Sequence, residues 1–240
     1  MIRMKIITYA THSHGMFDDL VNNKFGIKIE VLGWGEKWNG FNDKIKKTHE
    51  YINNLSDDDI IIVVDGFDSK IIKSLDEIEK RFLEMKCQVL FSEDKNSFLQ
   101  KTRFSSCSNN NTLNAGLYMG YVKQLKQILN DANNMNCKDD QRNLNMLCKK
   151  YPFIKIDVDE IVFSNKNNNN ACILGFPGTP SINRFIRGLK EYAQFFIINL
   201  IILFLVVIVM FPNKYVISLF IILMTLYIYK ADDSCLTQIK

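Results

Sequence analysis

The sequence has little net charge and no paired-cysteine motif, and each shortage excludes a class of function. Over 240 residues the formal net charge is only +4. That is too dilute for nucleic-acid binding, which needs a concentrated basic face. The six cysteines are Cys87, Cys107, Cys137, Cys148, Cys172 and Cys235, and no two form a C-x-x-C pair. A zinc knuckle or redox motif is therefore not expected, and the irregular spacing does not describe a small disulfide scaffold. Most of these cysteines are expected to be free thiols in a reducing compartment. No long apolar stretch follows the charged N-terminus; polar residues run from Thr11 to Asp19. A signal peptide is thus not expected. The asparagine-rich stretches Asn109–Asn111 and Asn167–Asn170 read as loops.

What the chain does have falls into two chemistries. Residues 1–185 have an ordinary globular mix, enough to bury a substantial core without staples. Residues 186–240 contain two apolar segments, about 194–211 and 215–229, separated by Pro212-Asn213-Lys214. The first is about long enough to cross a hydrocarbon core and the second is marginal. The preferred expectation is a transmembrane helical hairpin anchored in a lipid bilayer. One span plus an interfacial segment is the alternative. Arg184, Arg187 and Lys190 precede the pair, and Lys230 and Lys240 follow it. Both basic flanks would then lie on the cytosolic side. Tyr192, Tyr215, Tyr227 and Tyr229 sit near the ends, where amphipathic rings suit the headgroup level. The expectation is a multi-pass membrane protein whose large domain faces the cytosol, a lumenal orientation being the other option.

The globular part alternates strand and helix patterns. Met4–Tyr9, Ile27–Leu32, Ile60–Val64, Gln88–Phe91, Leu113–Met119 and Phe153–Val158 read as strands. Phe17–Asn23, Asn42–Asn53, the segment capped by Ser74, Val122–Ala132 and Asp140–Lys149 read as helices. The unbroken run Ile60–Val64 suits a central strand covered on both faces. This alternation predicts an open α/β fold with a mostly parallel sheet. Such a sheet binds ligands at the carboxyl ends of its strands.

Four segments carry candidate chemistry. Asp65 and Asp68 follow directly on the most apolar strand, with Gly66 permitting a tight turn between them. Two hard carboxylates there suit Mg²⁺ or Mn²⁺ bridging phosphate oxygens; a solvated acidic turn is the plain alternative. Lys138-Asp139-Asp140-Gln141 offers carboxylates and an amide that could hold and deprotonate an acceptor hydroxyl; capping of a helix start would explain the same residues. Leu113–Gly120 has small residues that would admit a sugar close to the backbone, or is an ordinary strand. Val31–Gly40 holds Trp34 and Trp38 among glycines, a flat surface for a base or sugar ring, though a core-packed Trp34 fits equally. His12 and His14 follow the first strand and read as exposed or hydrogen-bonded, and His49 as structural.

Taken in order, the stretches IITYATHSHG, VLGWGEKWNG, IIIVVDGFDS, VLFSED, TLNAGLYMGY and KDDQ span residues 6–141. Together they resemble the glycosyltransferase domain of the procollagen lysyl hydroxylase and collagen glycosyltransferase family. The resemblance implies a GT-A-type nucleotide-sugar fold, a UDP-sugar donor and Mn²⁺ or Mg²⁺. It implies Asp65 and Asp68 as metal ligands and Phe67 in the place of a tyrosine that stacks on uracil. Thr11 and Trp38 match nucleotide-contacting positions, and Asn114 and Gly116 match an element lining the sugar pocket. Asp139, Asp140 and Gln141 match an acidic run needed for transfer. Three departures stand out. Gly175 takes the place of the family's metal-binding histidine. A Cys-Trp-Pro element is absent after Glu93. No hydroxylase domain is expected after residue 185. The implied activity is transfer of glucose or galactose to a hydroxyl acceptor, possibly hydroxylysine of a collagen-like protein. The alternative is a non-catalytic, membrane-anchored relative that binds a sugar or a partner.

Overall fold

The computed structural model describes residues 3–94, 107, 111–135, 137, 139–177, 197–210 and 213–229. Lys138, Gly178, Cys235 and the expected basic flanks Arg184, Arg187, Lys190, Lys230 and Lys240 lie outside the described residues. So do Asn109 and Tyr192. The chain divides into two compact units, Met1–Gly178 and Thr179–Lys240.

In the first unit the elements run β1 (Met4–Tyr9), α1 (Phe17–Val21), β2 (Ile29–Leu32), α2 (Asn42–Ile52), β3 (Ile60–Asp65), β4 (Ser69–Ile71) and α3 (Leu75–Glu84). They continue as β5 (Val89–Glu93), β6 (Leu113–Tyr121), α4 (Val122–Asn133), α5 (Asp140–Cys148), β7 (Ile154–Asp157), β8 (Phe163–Ser164) and β9 (Ile173–Gly175). The main sheet has the order β2-β1-β3-β6-β5-β7. Strands β2, β1 and β3 are parallel, as are β5 and β7, while β6 runs antiparallel to both its neighbours. The mostly parallel α/β sheet expected from the sequence is present, with β3 in its centre.

Alternating residues of each strand face two separate cores, as the two-residue pleat requires. Ile61 and Val63 of β3 join Ile45 and Ile52 of α2, Leu125 and Leu129 of α4, and Leu144 of α5 on one face. Ile60, Ile62 and Val64 join Leu20 of α1, Ile78 and Phe82 of α3, and Phe163 and Ile173 on the other. All five residues Ile60–Val64 are fully buried, which is why this strand reads as an unbroken β-branched run. Ser74 caps α3, its hydroxyl accepting from the Glu77 N–H at 3.4 Å.

The sequence reading did not anticipate a second, small sheet, β4-β9-β8, on the α1/α3 face. Strands of two or three residues are too short to display a period. The cysteine expectation needs correction. Cys107 and Cys148 form a disulfide with Cα atoms 5.3 Å apart, and Cys137 is also disulfide-bonded; Cys87 and Cys172 are free thiols. Irregular spacing hides a pairing made in three dimensions, because Cys148 at the end of α5 meets Cys107 only in the folded chain.

The second unit holds α6 (Ile197–Met210) and α7 (Lys214–Tyr229). The rings of Phe204 and Phe220 stack with centroids 5.4 Å apart. The expected membrane-spanning hairpin is not supported: among the described residues no helix is long and apolar enough to cross a membrane. At 1.5 Å per residue, helices of 14 and 16 residues reach about 21 and 24 Å, against a core of about 30 Å.

Candidate donor and acceptor site at the end of strand β3

Strand β3 delivers its last residue, Asp65, to the carboxyl edge of the sheet. The five residues before it are buried, whereas its side chain is 39% exposed. Gly66 packs directly against β1: a Cβ there would lie 3.0 Å from Thr8 Oγ1 and 3.1 Å from Ala10 Cβ. Beside Asp65 runs β6. A Cβ at Gly116 would stand 2.3 Å from Asp65 Oδ2 and 2.8 Å from Asn114 Oδ1, so only glycine admits the carboxylate here. Asn114 Oδ1 accepts the Gly116 N–H at 2.7 Å. The β5–β6 register shifts between Phe91 and Ser92 at this level. Such irregularities re-aim side chains near functional sites. Asp65, Asn114 and Gly116 therefore share one place.

A residue that the sequence reading passed over joins this place to the acceptor segment. Lys44 of α2 has a side chain only 9% exposed. Its Nζ lies 3.0 Å from Asp65 Oδ1 and 2.7 Å from Asp140 Oδ2. Burial works against the Lys44 charge, but Asp140 and Asp65 outweigh it and hold the ammonium well above its ordinary value. The Asp140 carboxyl is pushed above the usual carboxylate range by its burial, with Lys44 pulling the other way. The signal for Lys44 was available: it shares a helix face with Thr48 and Ile52, both buried, and a lysine on a core face needs a partner.

The three residues of the acceptor segment go to different partners. Asp139 caps α5, its Oδ1 accepting the Arg142 N–H at 3.0 Å. Asp140 turns inward to Lys44. Gln141 donates from Nε2 to Asp94 Oδ2 at 2.8 Å, and so is tied to the end of β5. Neighbouring Glu93 is buried and pairs with Lys166 at 2.7 Å.

Aromatic groups gather on the loops after β1, β2 and β3. The Phe67 ring lies 5.3 Å from His12 and 5.6 Å from His14. Its carbonyl accepts the Met16 N–H at 2.9 Å. Gly15 is what allows that approach: its φ is +59°, and a Cβ would fall 2.3 Å from the Phe67 oxygen. Thr11 sits in the same loop, its hydroxyl 2.9 Å from His12 Nδ1 and its carbonyl accepting the Gly35 N–H. Trp38 is 45% exposed and packs over Tyr9 with ring centroids 5.7 Å apart. Trp34 is not core-packed: it is 55% exposed and stacks one face on Phe17.

Asp68 stands half-buried where β3 hands over to β4, and its carbonyl accepts the Phe176 N–H at 2.7 Å. Gly175 pairs with Ser69 in the small sheet. A Cβ at Gly175 would lie 2.3 Å from Asn165 Oδ1 and 2.9 Å from Leu117 Cδ1. The volume a side chain at 175 would need is thus already filled. Among the described residues no three of His, Cys, Asp and Glu are grouped to hold a metal ion. Asp65 and Asp68 are the carboxylates that the sequence reading offered to Mg²⁺ or Mn²⁺. Such ions take one or two carboxylates plus substrate phosphates and water, rather than an all-protein cage.

Residues 2–173 match the family model described as "PLOD GT domain". A procollagen-lysine,2-oxoglutarate 5-dioxygenase of Drosophila melanogaster is 27% identical over 146 residues, covering 54% of this chain and 20% of that protein. A multifunctional procollagen lysine hydroxylase and glycosyltransferase of Caenorhabditis elegans is 27% identical over 185 residues, covering 68% and 25%. The chain thus spans a quarter or less of the length of these two relatives. Among solved structures, A197 from STIV aligns with a TM-score of 0.45 at 13% identity, covering 65% of this chain and 81% of that one. With the family model covering nearly all of the first unit, the chain belongs to the PLOD GT domain family of glycosyltransferase domains.

Proposed function

We propose that the first unit transfers glucose or galactose from a UDP-sugar to a hydroxyl acceptor, with hydroxylysine of a collagen-like protein as the acceptor class the family suggests. The observation that carries this reading is the convergence of Asp65, Asn114 and Gly116 at the tip of β3, with Asp140 brought there by Lys44. Asp65 and Asp68 would hold Mn²⁺ or Mg²⁺. The ion, when bound, would neutralise charge developing on the departing diphosphate.

The chain's own residues do the rest. Phe67 and Trp38 offer ring faces to the uracil, and Thr11 stands on the loop after β1. Asn114 and Gly116, packed beside Asp65, line the sugar side of the site. Lys44 pairs with the buried Asp140 carboxyl at 2.7 Å and fixes it in place. Gln141, held by Asp94, orients the start of α5. Asp139 or Asp140 takes the acceptor proton; Asp139 is the more open of the two, and Asp140 the more tightly positioned. UDP release with and without Mn²⁺ tests the reading. Turnover that depends on the metal supports it, and turnover unchanged in Asp68→Ala removes it.

One second reading has its own support. Gly175 offers no ligand, and Lys44 already neutralises Asp65. A non-catalytic domain that binds a sugar or a protein partner would bind nucleotide without releasing UDP, and the same assay separates the two.

A further inference from the structure

We infer that Asn54 accepts an N-linked glycan, and that the first unit accordingly matures in an oxidising, secretory-type compartment. Asn54-Leu55-Ser56 is an Asn-x-Ser triplet, the acceptor pattern for N-glycosylation where it lies on an exposed loop. It occupies the turn between α2 and β3. The N–H of Asn53 closes α2 on His49 O, and the Leu55 N–H closes the turn on Ile52 O at 3.0 Å. Leu55 packs its side chain against the core beneath the sheet, while Asn54 and Ser56 are exposed. The middle residue pins the loop and leaves the acceptor Asn54 and the motif's Ser56 exposed.

The position also leaves the site described above accessible. Asn54 lies at the amino end of β3 and Asp65 at its carboxyl end, so the length of the strand, about 20 Å, separates a glycan from the donor groove. The other triplet of this pattern, Asn110-Asn111-Thr112, ends on a fully buried threonine.

A separate observation points to the same compartment. Cys107 and Cys148 are joined in a disulfide. Such bonds persist where N-glycans are attached and are rare in a reducing cytosol. On this inference the lumenal orientation, which the sequence reading left open, replaces the cytosolic one. In the modification itself, Asn54 Nδ2 attacks the anomeric carbon of a polyprenyl-diphosphate oligosaccharide. The bond from that carbon to the phosphate oxygen breaks, and the diphosphate leaves with the electron pair. The amide proton passes to a base on the transferring enzyme.

The test is expression of the full chain in cultured eukaryotic cells, with electrophoresis before and after peptide:N-glycosidase. A slower species that the enzyme collapses is expected. It is lost in Asn54→Gln and in Ser56→Ala, and kept in Ser56→Thr and in Asn110→Gln. Without prior reduction, Cys107 and Cys148 should resist alkylation. Absence of the slower species, its persistence in Asn54→Gln, or ready alkylation of both cysteines overturns the inference. None of these readouts depends on sugar transfer by the protein itself.

Discussion

The carboxylates of Asp65 and Asp140 share one ammonium, with Lys44 Nζ at 3.0 Å from Asp65 Oδ1 and 2.7 Å from Asp140 Oδ2. Removing a single partner leaves a buried charge uncompensated, which costs about 3–5 kcal/mol. Asp65 is partly solvated and tolerates the loss, but Asp140 is not. Lys44→Met should therefore unfold at markedly lower urea concentration than the parent. Adding Asp140→Asn to Lys44→Met should recover much of the loss. A double-mutant cycle in urea checks both statements, and a strictly additive pair would show that the bridge carries no coupling.

Asp68→Ala should reduce metal-dependent UDP release by on the order of 100-fold or more, the usual effect of deleting one stabiliser of developing charge. The contact between Asp68 and Phe176 is made by the backbone carbonyl and is kept in the variant. Circular dichroism and a UDP-release assay give the two readouts.

Restoring a histidine at position 175 should fail. A Cβ there meets Asn165 Oδ1 at 2.3 Å and Leu117 Cδ1 at 2.9 Å. Overpacking of that kind costs about 1–3 kcal/mol. Gly175→His should lower the melting temperature without raising Mn²⁺ affinity in calorimetry. Shortening Asn165 to alanine in the same chain should return part of the stability. A Gly175→His variant that bound Mn²⁺ more tightly at parental stability would contradict this account.

Phe67→Tyr should leave UDP affinity close to that of the parent, because the ring face is kept. Phe67→Ala should weaken it by about 1–3 kcal/mol, the range for loss of one base-stacking ring. Equal UDP affinities in all three proteins, measured by calorimetry, would place the base elsewhere.

The Tyr9 phenol is pushed up to about 12, by burial first and then by Asp43 and Glu36. The folded state thus favours the protonated ring. Its contribution to stability is complete below the ordinary value near 10 and is lost as pH rises through about 12. Ultraviolet titration should show Tyr9 ionising after exposed tyrosines, and Asp43→Asn should bring it lower. Because Trp38 packs on the same ring, its fluorescence should report the step.

The sequence by itself determined the main sheet, its helices and the place of Asp65. Ile60–Val64 announces a strand buried on both faces, and the spacing of Ile45 and Ile52 announces a helix beside it. Those are local patterns, set by a period of two or of about 3.6 residues. The motif order also identified the family before any geometry was known. Tertiary structure alone decided the rest, because those features join residues that no local period links. Lys44 acquires its role from two carboxylates on other elements. Gly175 stands in a filled space only because Asn165 and Leu117 fold against it. Cys107 meets Cys148 only once α5 has docked. The strands β4, β8 and β9 exist only as partners of one another. The apolar C-terminal segments show the opposite limit: composition suggested two spans, while among the described residues the helices are 14 and 16 residues long.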